Sequence, residues 1–287
     1  MTAVYRRELK AYFSNMLGPI FICWVLAWMG YYVKNCHFIS GLPNFEYVVV
    51  SSAFLAFLII PLLTMRSFAE ERHTRTDQLL YSLPMKTSGI VLGKYLAAVT
   101  VMAIPLAITG IYPLVLRVLG DVRLLNAYVS LLAMFLLGCA IIAICMFISS
   151  LTESQVIAAV LSIGALVLLY AMNSLASTIS TEPSVALTTF IVIAVLVGAL
   201  TYFLTRHWLV SMLVGGILTV ISVVFYTLEK TEFEGLLPEL ITKIAPFQRL
   251  VNFANGLADL TAIIYYISLA GLFLFLTTQS LEKKRWA

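Results

Sequence analysis

The sequence predicts an all-α, polytopic helical membrane protein with about eight transmembrane helices and both termini cytoplasmic. Three observations lead there. Of 287 residues, 61% are hydrophobic and 11% charged, against about a quarter charged in an average soluble domain. Mean hydropathy is +0.99. The apolar residues also run without interruption over lengths that cross a bilayer core, about 20 residues at 1.5 Å each. Barrel strands would alternate instead. A soluble domain cannot hide that much apolar surface, and a disordered chain has the opposite composition.

The first 16 residues form an amphipathic helix at the membrane interface. Tyr5, Leu9, Tyr12, Phe13 and Met16 share one face, opposite Arg6, Arg7, Lys10 and Ser14. Such a helix should lie in the inner headgroup plane, aromatics toward lipid, as an elbow into the first span at Gly18-Pro19. Residues 17–287 form the transmembrane domain. Charge-free runs place spans at 17–33, 46–64, 93–116, 125–149, 156–175, 185–204, 208–228 and 260–279. The sixth and seventh are separated only by Arg206 and His207. Lys and Arg set the orientation, because they are retained in cytoplasmic loops. With the N-terminus inside, 12 of 18 Lys and Arg and 6 of 14 acids lie on the inner side, a net +6 inside and −2 outside. The basic balance therefore reflects orientation in a lipid bilayer and implies no nucleic acid.

Arg6-Arg7 superficially resembles a twin-arginine export signal, but no small-residue cleavage site follows the apolar run, so the first span is expected to be retained. Cys23, Cys139 and Cys145 fall in spans and Cys36 alone in an outer loop, which supports no intrachain disulfide. Cys36-His37 has no metal-ligand spacing.

Two long segments lie between spans. Residues 65–94 carry the charges Glu70, Glu71, Arg72, Arg75 and Asp77, then Leu79, Leu80, Tyr81, Leu83 and Pro84. Helix is expected up to about Leu83, Pro84 stops it, and a new helix begins near Thr87 or Ser88. The leucines suit a short helix docking into a partner's groove. They equally suit contact with the membrane surface or neighbouring spans. The segment 229–258 reads as the longest outer loop, short helices broken at Pro238 and Pro246.

Catalytic chemistry is missing from the sequence. Gly89 to Tyr95 resembles a phosphate-binding loop but has one residue too few between its glycines, and Tyr95 replaces the required Ser or Thr. No span carries an ionisable residue near its centre, which argues against proton-coupled carriers and intramembrane enzymes. Among polar span residues, Ser51, Ser52, Asn173 and Ser174 are the candidates for lining a pathway. Most such groups bond neighbouring helices instead, at about 0.6 kcal/mol each.

Four stretches carry a family resemblance. Arg7-Glu8-Leu9-Lys10-Ala11-Tyr12-Phe13-Ser14 is similar to an opening helix of pattern R-E-L-x-x-(F/Y)-F-(S/T). Phe68, Glu71, Arg72, Thr76, Leu80, Ser82, Pro84, Ile90, Val91, Gly93 and Lys94 meet the most specific pattern, F-x-x-E-(R/K)-x-x-x-T-x-(D/E)-x-L-x-(S/T)-x-P followed by I-(V/L)-x-(G/A)-K. Asp77 stands one place before the acidic position of that pattern, which Gln78 occupies. The third stretch is the tight inner turn Ser149 to Gln155. The fourth is Phe247 to Trp286, with Asn252 to Gly256 before the last span and Leu281-Glu282-Lys283-Lys284-Arg285-Trp286 at the end. Together they resemble the membrane subunits of type-2 ABC exporters, the ABC-2 permeases, in the gliding-motility and nitrous-oxide-reductase-maturation subgroup. The basic module of that family has six spans, so the pair 185–204 and 208–228 is extra here.

The resemblance implies a half-transporter in a bacterial plasma membrane. A second permease chain, identical or not, and separate cytosolic ABC ATPase subunits would complete it, with an accessory membrane protein as a further possible partner. It implies no enzyme activity and no cofactor bound by this chain, with ATP and Mg held by the ATPase. Residues 65–92 become the cytoplasmic coupling segment, with Glu70, Glu71, Arg72, Thr76, Asp77, Leu80, Leu83 and Pro84 as coupling positions. Thr152 and Glu153 in the inner turn are the second contact. The resemblance favours the docking reading of the leucines. An ATP-independent channel or carrier, or a membrane anchor of a larger complex, remains the alternative.

Overall fold

The computed structural model describes residues 1–41, 44–74, 87–119, 122–179, 235–254 and 260–286, with isolated residues between 185 and 219. Among these residues the elements are helices: α1 (Thr2–Ser14), α2 (Leu17–Val33) with a π-helical extension (Lys34–Ile39), α3 (Phe45–Phe57), α4 (Ile60–Thr64), α5 (Arg66–His73), α6 (Thr87–Thr109), α7 (Tyr112–Leu119), α8 (Leu124–Leu151), α9 (Gln155–Thr178), α10 (Leu236–Ile244), α11 (Pro246–Ala254) and α12 (Leu260–Trp286). The chain falls into two compact units, Met1–Tyr170 with Pro246–Ala287, and Ala171–Ala245.

The apolar runs became helices long enough to span. Five helices meet the length and hydropathy of a membrane crossing, or six if the bent pair Phe45–Phe57 and Ile60–Arg72 is one span. These correspond to the runs 17–33, 46–64, 93–116, 125–149, 156–175 and 260–279. The runs 185–204 and 208–228 lie almost wholly outside the described residues. Among the described residues the count is therefore five or six, and the fold is a polytopic helical membrane protein.

α8 is the centre of the first unit. Two thirds of its apolar window is buried (67%), against 22% in the windows of α2, α9 and α12. It is surrounded by α3, α4, α5, α6, α11 and α12. Met134, Leu137, Ile141 and Met146 fill its buried face. Peripheral helices instead expose apolar side chains such as Val160 and Ile267, as lipid-facing positions require. Gly138 sets the closest approach: a Cβ there would run into the Met102 sulfur and come within 3.1 Å of the Phe57 ring. α8, α6 and α3 can meet there only because the side chain is absent.

Four details depart from the sequence reading. The second span is not straight: it bends by 44° where α3 gives way to α4. Pro61 accounts for this, because it has no N–H to donate and its ring crowds the carbonyl of Phe57, the last residue of α3. The third span starts at Thr87, the expected cap position, which puts Lys94 two turns inside a helix. Pro238 does not break the 229–258 segment. It sits in the first turn of α10, where its missing N–H has no helical acceptor to lose; the break falls at Ala245, and Pro246 opens α11. The apolar face of α1 turns partly toward protein. Tyr12 is buried and Tyr5 bonds Thr100 of α6 at 3.2 Å, while Phe13 and Met16 are exposed.

Both termini reach one end of the bundle. Glu8 meets Lys94 there, and Thr87 at the start of α6 donates to Glu282 near the end of α12 at 2.6 Å. This is called the terminal end below, and the opposite one the far end. Gly138→Leu is expected to lower the thermal unfolding temperature in detergent, the overpacking cost being about 1–3 kcal/mol. Adding Met102→Ala should recover part of the loss, because the space then exists.

Candidate functional site

The site is built where α1, α5 and α6 converge at the terminal end. α1 lies close against α6 because residue 93 is glycine. A Cβ there would sit 3.1 Å from the Val4 side chain and 3.2 Å from the Met1 carbonyl. The next residue, Lys94, is 2% exposed. A buried ammonium is costly unless its charge is matched and its protons are bonded. Both conditions are met. The Nζ donates to the Ser67 carbonyl at 2.6 Å and lies 2.8 Å from Glu71 and 3.2 Å from Glu8. Three acceptors match the three donors of an ammonium. The Phe68 ring lies 5.2 Å from it, within cation–π range.

Arg7 completes the cluster. Its Nη2 reaches Glu8 at 2.7 Å and Glu71 at 2.9 Å. Two cations thus hold two carboxylates together, with no net charge. Burial works to lower the pKa of Arg7, and the hydrogen bonds and charges of Glu8 and Glu71 outweigh it and raise it. The neighbouring Tyr12 hydroxyl is pushed well above its ordinary range by burial, with the Glu8 charge adding to it. Beside the cluster is a pocket of about 280 Å³ lined by Glu8, Tyr12, Asn15, Arg66, Glu71 and Lys94, among others.

A second device fixes α5. The first N–H groups of a helix have no partner within it. Here a hydroxyl from another helix supplies one: the fully buried Ser149 of α8 accepts from the Phe68 and Ala69 N–H groups at 3.4 and 3.3 Å, and donates to the Met65 carbonyl at 3.1 Å. Ser149 opens the Ser149 to Gln155 stretch, so two of the sequence patterns meet at this contact. A third contact, Thr87 to Glu282, brings in the last stretch. Residues 75–86 thus leave and rejoin parts of the chain that are each tied to the bundle.

Of the expected coupling positions, the structure places Glu70, Glu71 and Arg72 on α5, and Thr152 and Glu153 in the turn after α8, at the same end. Glu71 faces inward to Lys94, while Glu70 is 44% exposed and only 3.9 Å from Arg66. Glu153 is exposed and Thr152 half-buried. Thr76, Asp77, Leu80, Leu83 and Pro84 lie outside the described residues.

The expected pathway residues are not brought together by any described pocket. Ser52 is buried and bonds Met29 across to α2 at 2.8 Å, a helix–helix link. Ser51 points to the exposed side of the same helix. Asn173 and Ser174 are exposed on the last turns of α9.

Sequence reasoning matched Lys94 and Glu8 to family patterns but missed that they meet. A signal existed: Ile90, Lys94, Ala97, Ala98 and Val101 share one helical face, and the other four are buried. A lysine in line with four core residues needs an anionic partner. Lys94→Met should lower stability by about 3 kcal/mol or more, since it leaves two carboxylates facing each other with one cation. Combined with Glu71→Gln, the loss should fall well short of the sum of the single losses. Thermal unfolding of the four chains in detergent reads this coupling.

Comparison with known proteins adds the family. No curated protein matches the chain. A family model described as "ABC-2 family transporter protein" matches residues 19–214, which include α2 to α9. That match covers more than half of the chain, including Glu71, Lys94 and the whole segment between α5 and α6, and the chain belongs to the ABC-2 transporter family.

Proposed function

We propose that the chain is the permease subunit of an ATP-driven exporter in a plasma membrane, working with separate cytosolic ABC ATPase subunits and a second permease chain. The terminal end is the cytoplasmic face in this reading, in agreement with the excess of Lys and Arg on that side. The gliding-motility and nitrous-oxide-reductase-maturation permeases are the subgroup its motifs resemble. One observation carries the proposal: the segment between Thr74 and Thr87 is anchored on both sides. On one side α5 is held by Lys94 and Arg7 and capped by Ser149, and on the other Thr87 is held by Glu282. A loop that only connected two spans would need no such fixing. A lever does.

The energy enters from the partner, so this chain needs no catalytic residue. Leu80, Leu83 and Pro84, with Thr76, Asp77, Arg72 and the partly exposed Glu70, form the coupling surface, and Thr152 and Glu153 a second contact. Closure of the ATPases on ATP displaces this surface. Glu71 passes the displacement to Lys94 and hence to α6, and through Arg7 to α1. Rigid elements linked this way switch between two packings rather than deform gradually.

Leu80→Asp puts a charge on the proposed docking segment and leaves the anchoring residues Glu71, Lys94, Ser149 and Glu282 in place. Purified from native membranes in mild detergent, the wild-type chain should bring an ATPase with it and hydrolyse Mg-ATP. The Leu80→Asp chain should lose that partner while its abundance and unfolding temperature stay unchanged. A wild-type chain that remains alone under every condition would transfer support to the channel or anchor readings.

A further inference from the structure

The far end of the bundle holds a second buried charge, and it is unlike the first. Glu46, in the first turn of α3, is 7% exposed. It forms no hydrogen bond or ion pair with any described residue. Glu46 lines a pocket of about 290 Å³ between the starts of α3 and α8 and the helix α11. Asn44, Asn126 and Arg123 line the same pocket, with Tyr47 and Val251. Arg123 is exposed and makes no ion pair with Glu46.

A carboxylate so nearly buried costs free energy when nothing donates to it. The buried Glu46, the amides of Asn44 and Asn126 and the exposed guanidinium of Arg123 line this one pocket. A bare cation would satisfy Glu46 against the repulsion of Arg123. A bare anion would satisfy Arg123 against the repulsion of Glu46. A molecule with both charges satisfies both. Its cation should be a primary ammonium, because that group offers three N–H donors to Glu46 and the side-chain oxygens of Asn44 and Asn126. Its anion should be a phosphate or similar oxyanion, which the planar fork of Arg123 grips in two places. The half-exposed Tyr47 is of the residue type that marks headgroup depth at the start of a span.

We infer that this pocket is a binding site for an aminoalkyl phosphate, with the ammonium on Glu46 and the phosphate on Arg123. Such a group occurs on phosphatidylethanolamine and on free phosphoethanolamine. The inference does not depend on what drives the transporter, since it concerns the opposite end of the molecule from the coupling surface.

The test uses the full chain in nanodiscs of phosphatidylglycerol. Three probes are compared by thermal unfolding and by native mass spectrometry: phosphatidylethanolamine, phosphatidylcholine and soluble phosphoethanolamine. Phosphatidylethanolamine should bind and raise the unfolding temperature. Phosphatidylcholine should not, because its quaternary nitrogen has no N–H to donate. Glu46→Gln removes the charge and keeps the shape. It should weaken phosphatidylethanolamine binding by about tenfold, the factor that 1.4 kcal/mol corresponds to, and Arg123→Gln should weaken it too. Stabilisation by soluble phosphoethanolamine alone, lost in Glu46→Gln, would make the free compound the source and keep the site. Equal responses to all three probes, or wild-type responses in both variants, would overturn the assignment. Should Glu46→Gln fail to fold, Arg123→Gln carries the decision, because Arg123 is exposed.

Discussion

The ammonium of Lys94 is the constraint on which the terminal end of the bundle depends. At 2% exposure it has no water to bond, so its three protons and its charge must be met by protein. The acceptors come from α1 (Glu8) and from α5 (the Glu71 carboxylate and the Ser67 carbonyl). α1 and α5 therefore have to be at α6 together. Two carboxylates on one ammonium leave an excess negative charge, and Arg7 removes it. Gly93 makes the approach of α1 sterically possible. Arg7, Glu8, Ser67, Glu71 and Lys94 are thereby brought into one small volume. A buried pair of this kind is weak evidence for net stability. Its firmer consequence is that helix positions are coupled, because no one of the three can move away without exposing an unpaired charge.

That coupling has a direction. α5 is held to α6 and α1 by charge and to α8 by the Ser149 hydroxyl, but it is separated from α3 by the 44° bend at the end of that helix. Movement of the segment after α5 is therefore shared first with α1 and α6 and only across a bend with α3. In the proposed exporter, the bend at Pro61 lets α3 keep its packing against α2, through Ser52 and Met29 and through Trp24 and the Leu55 carbonyl, while the terminal end tilts. A straight second span would transmit the push directly into that interface.

The membrane architecture was legible because it rests on composition over windows of about twenty residues, and uninterrupted apolar runs are insensitive to errors of a few positions. The bend was missed because the run 46–64 was read for its apolar length alone, which says nothing of the backbone break that Pro61 makes within it. The ion cluster was not legible as a cluster. Its members belong to two separate patterns, and Glu8 and Lys94 stand 86 residues apart, where no periodicity links them. Reading the third span as beginning at 93 also hid Lys94 at a span edge, where lysines normally reach water. α6 starts six residues earlier, and that shift turns an ordinary flanking lysine into a buried one. Glu46 was hidden in the same way, as an acid at a span boundary.

The two buried charges separate structure from recognition on physical grounds. Lys94 borders a pocket too, but it has every donor used and its charge balanced, so a ligand gains nothing by pairing with it and the group serves to position helices. Glu46 is buried too, at 7% exposure, but no described residue donates to it, and it lines a cavity. Position in the first turn of α3 offers some compensation, since the helix dipole favours a negative charge there by roughly 0.3–1 kcal/mol. An exposed glutamate would gain that benefit equally and would keep its hydration as well. Burial is thus an added cost that the helix end does not explain, and it is offset only when something occupies the pocket. The satisfied charge belongs to the scaffold, and the unsatisfied one to whatever the scaffold binds.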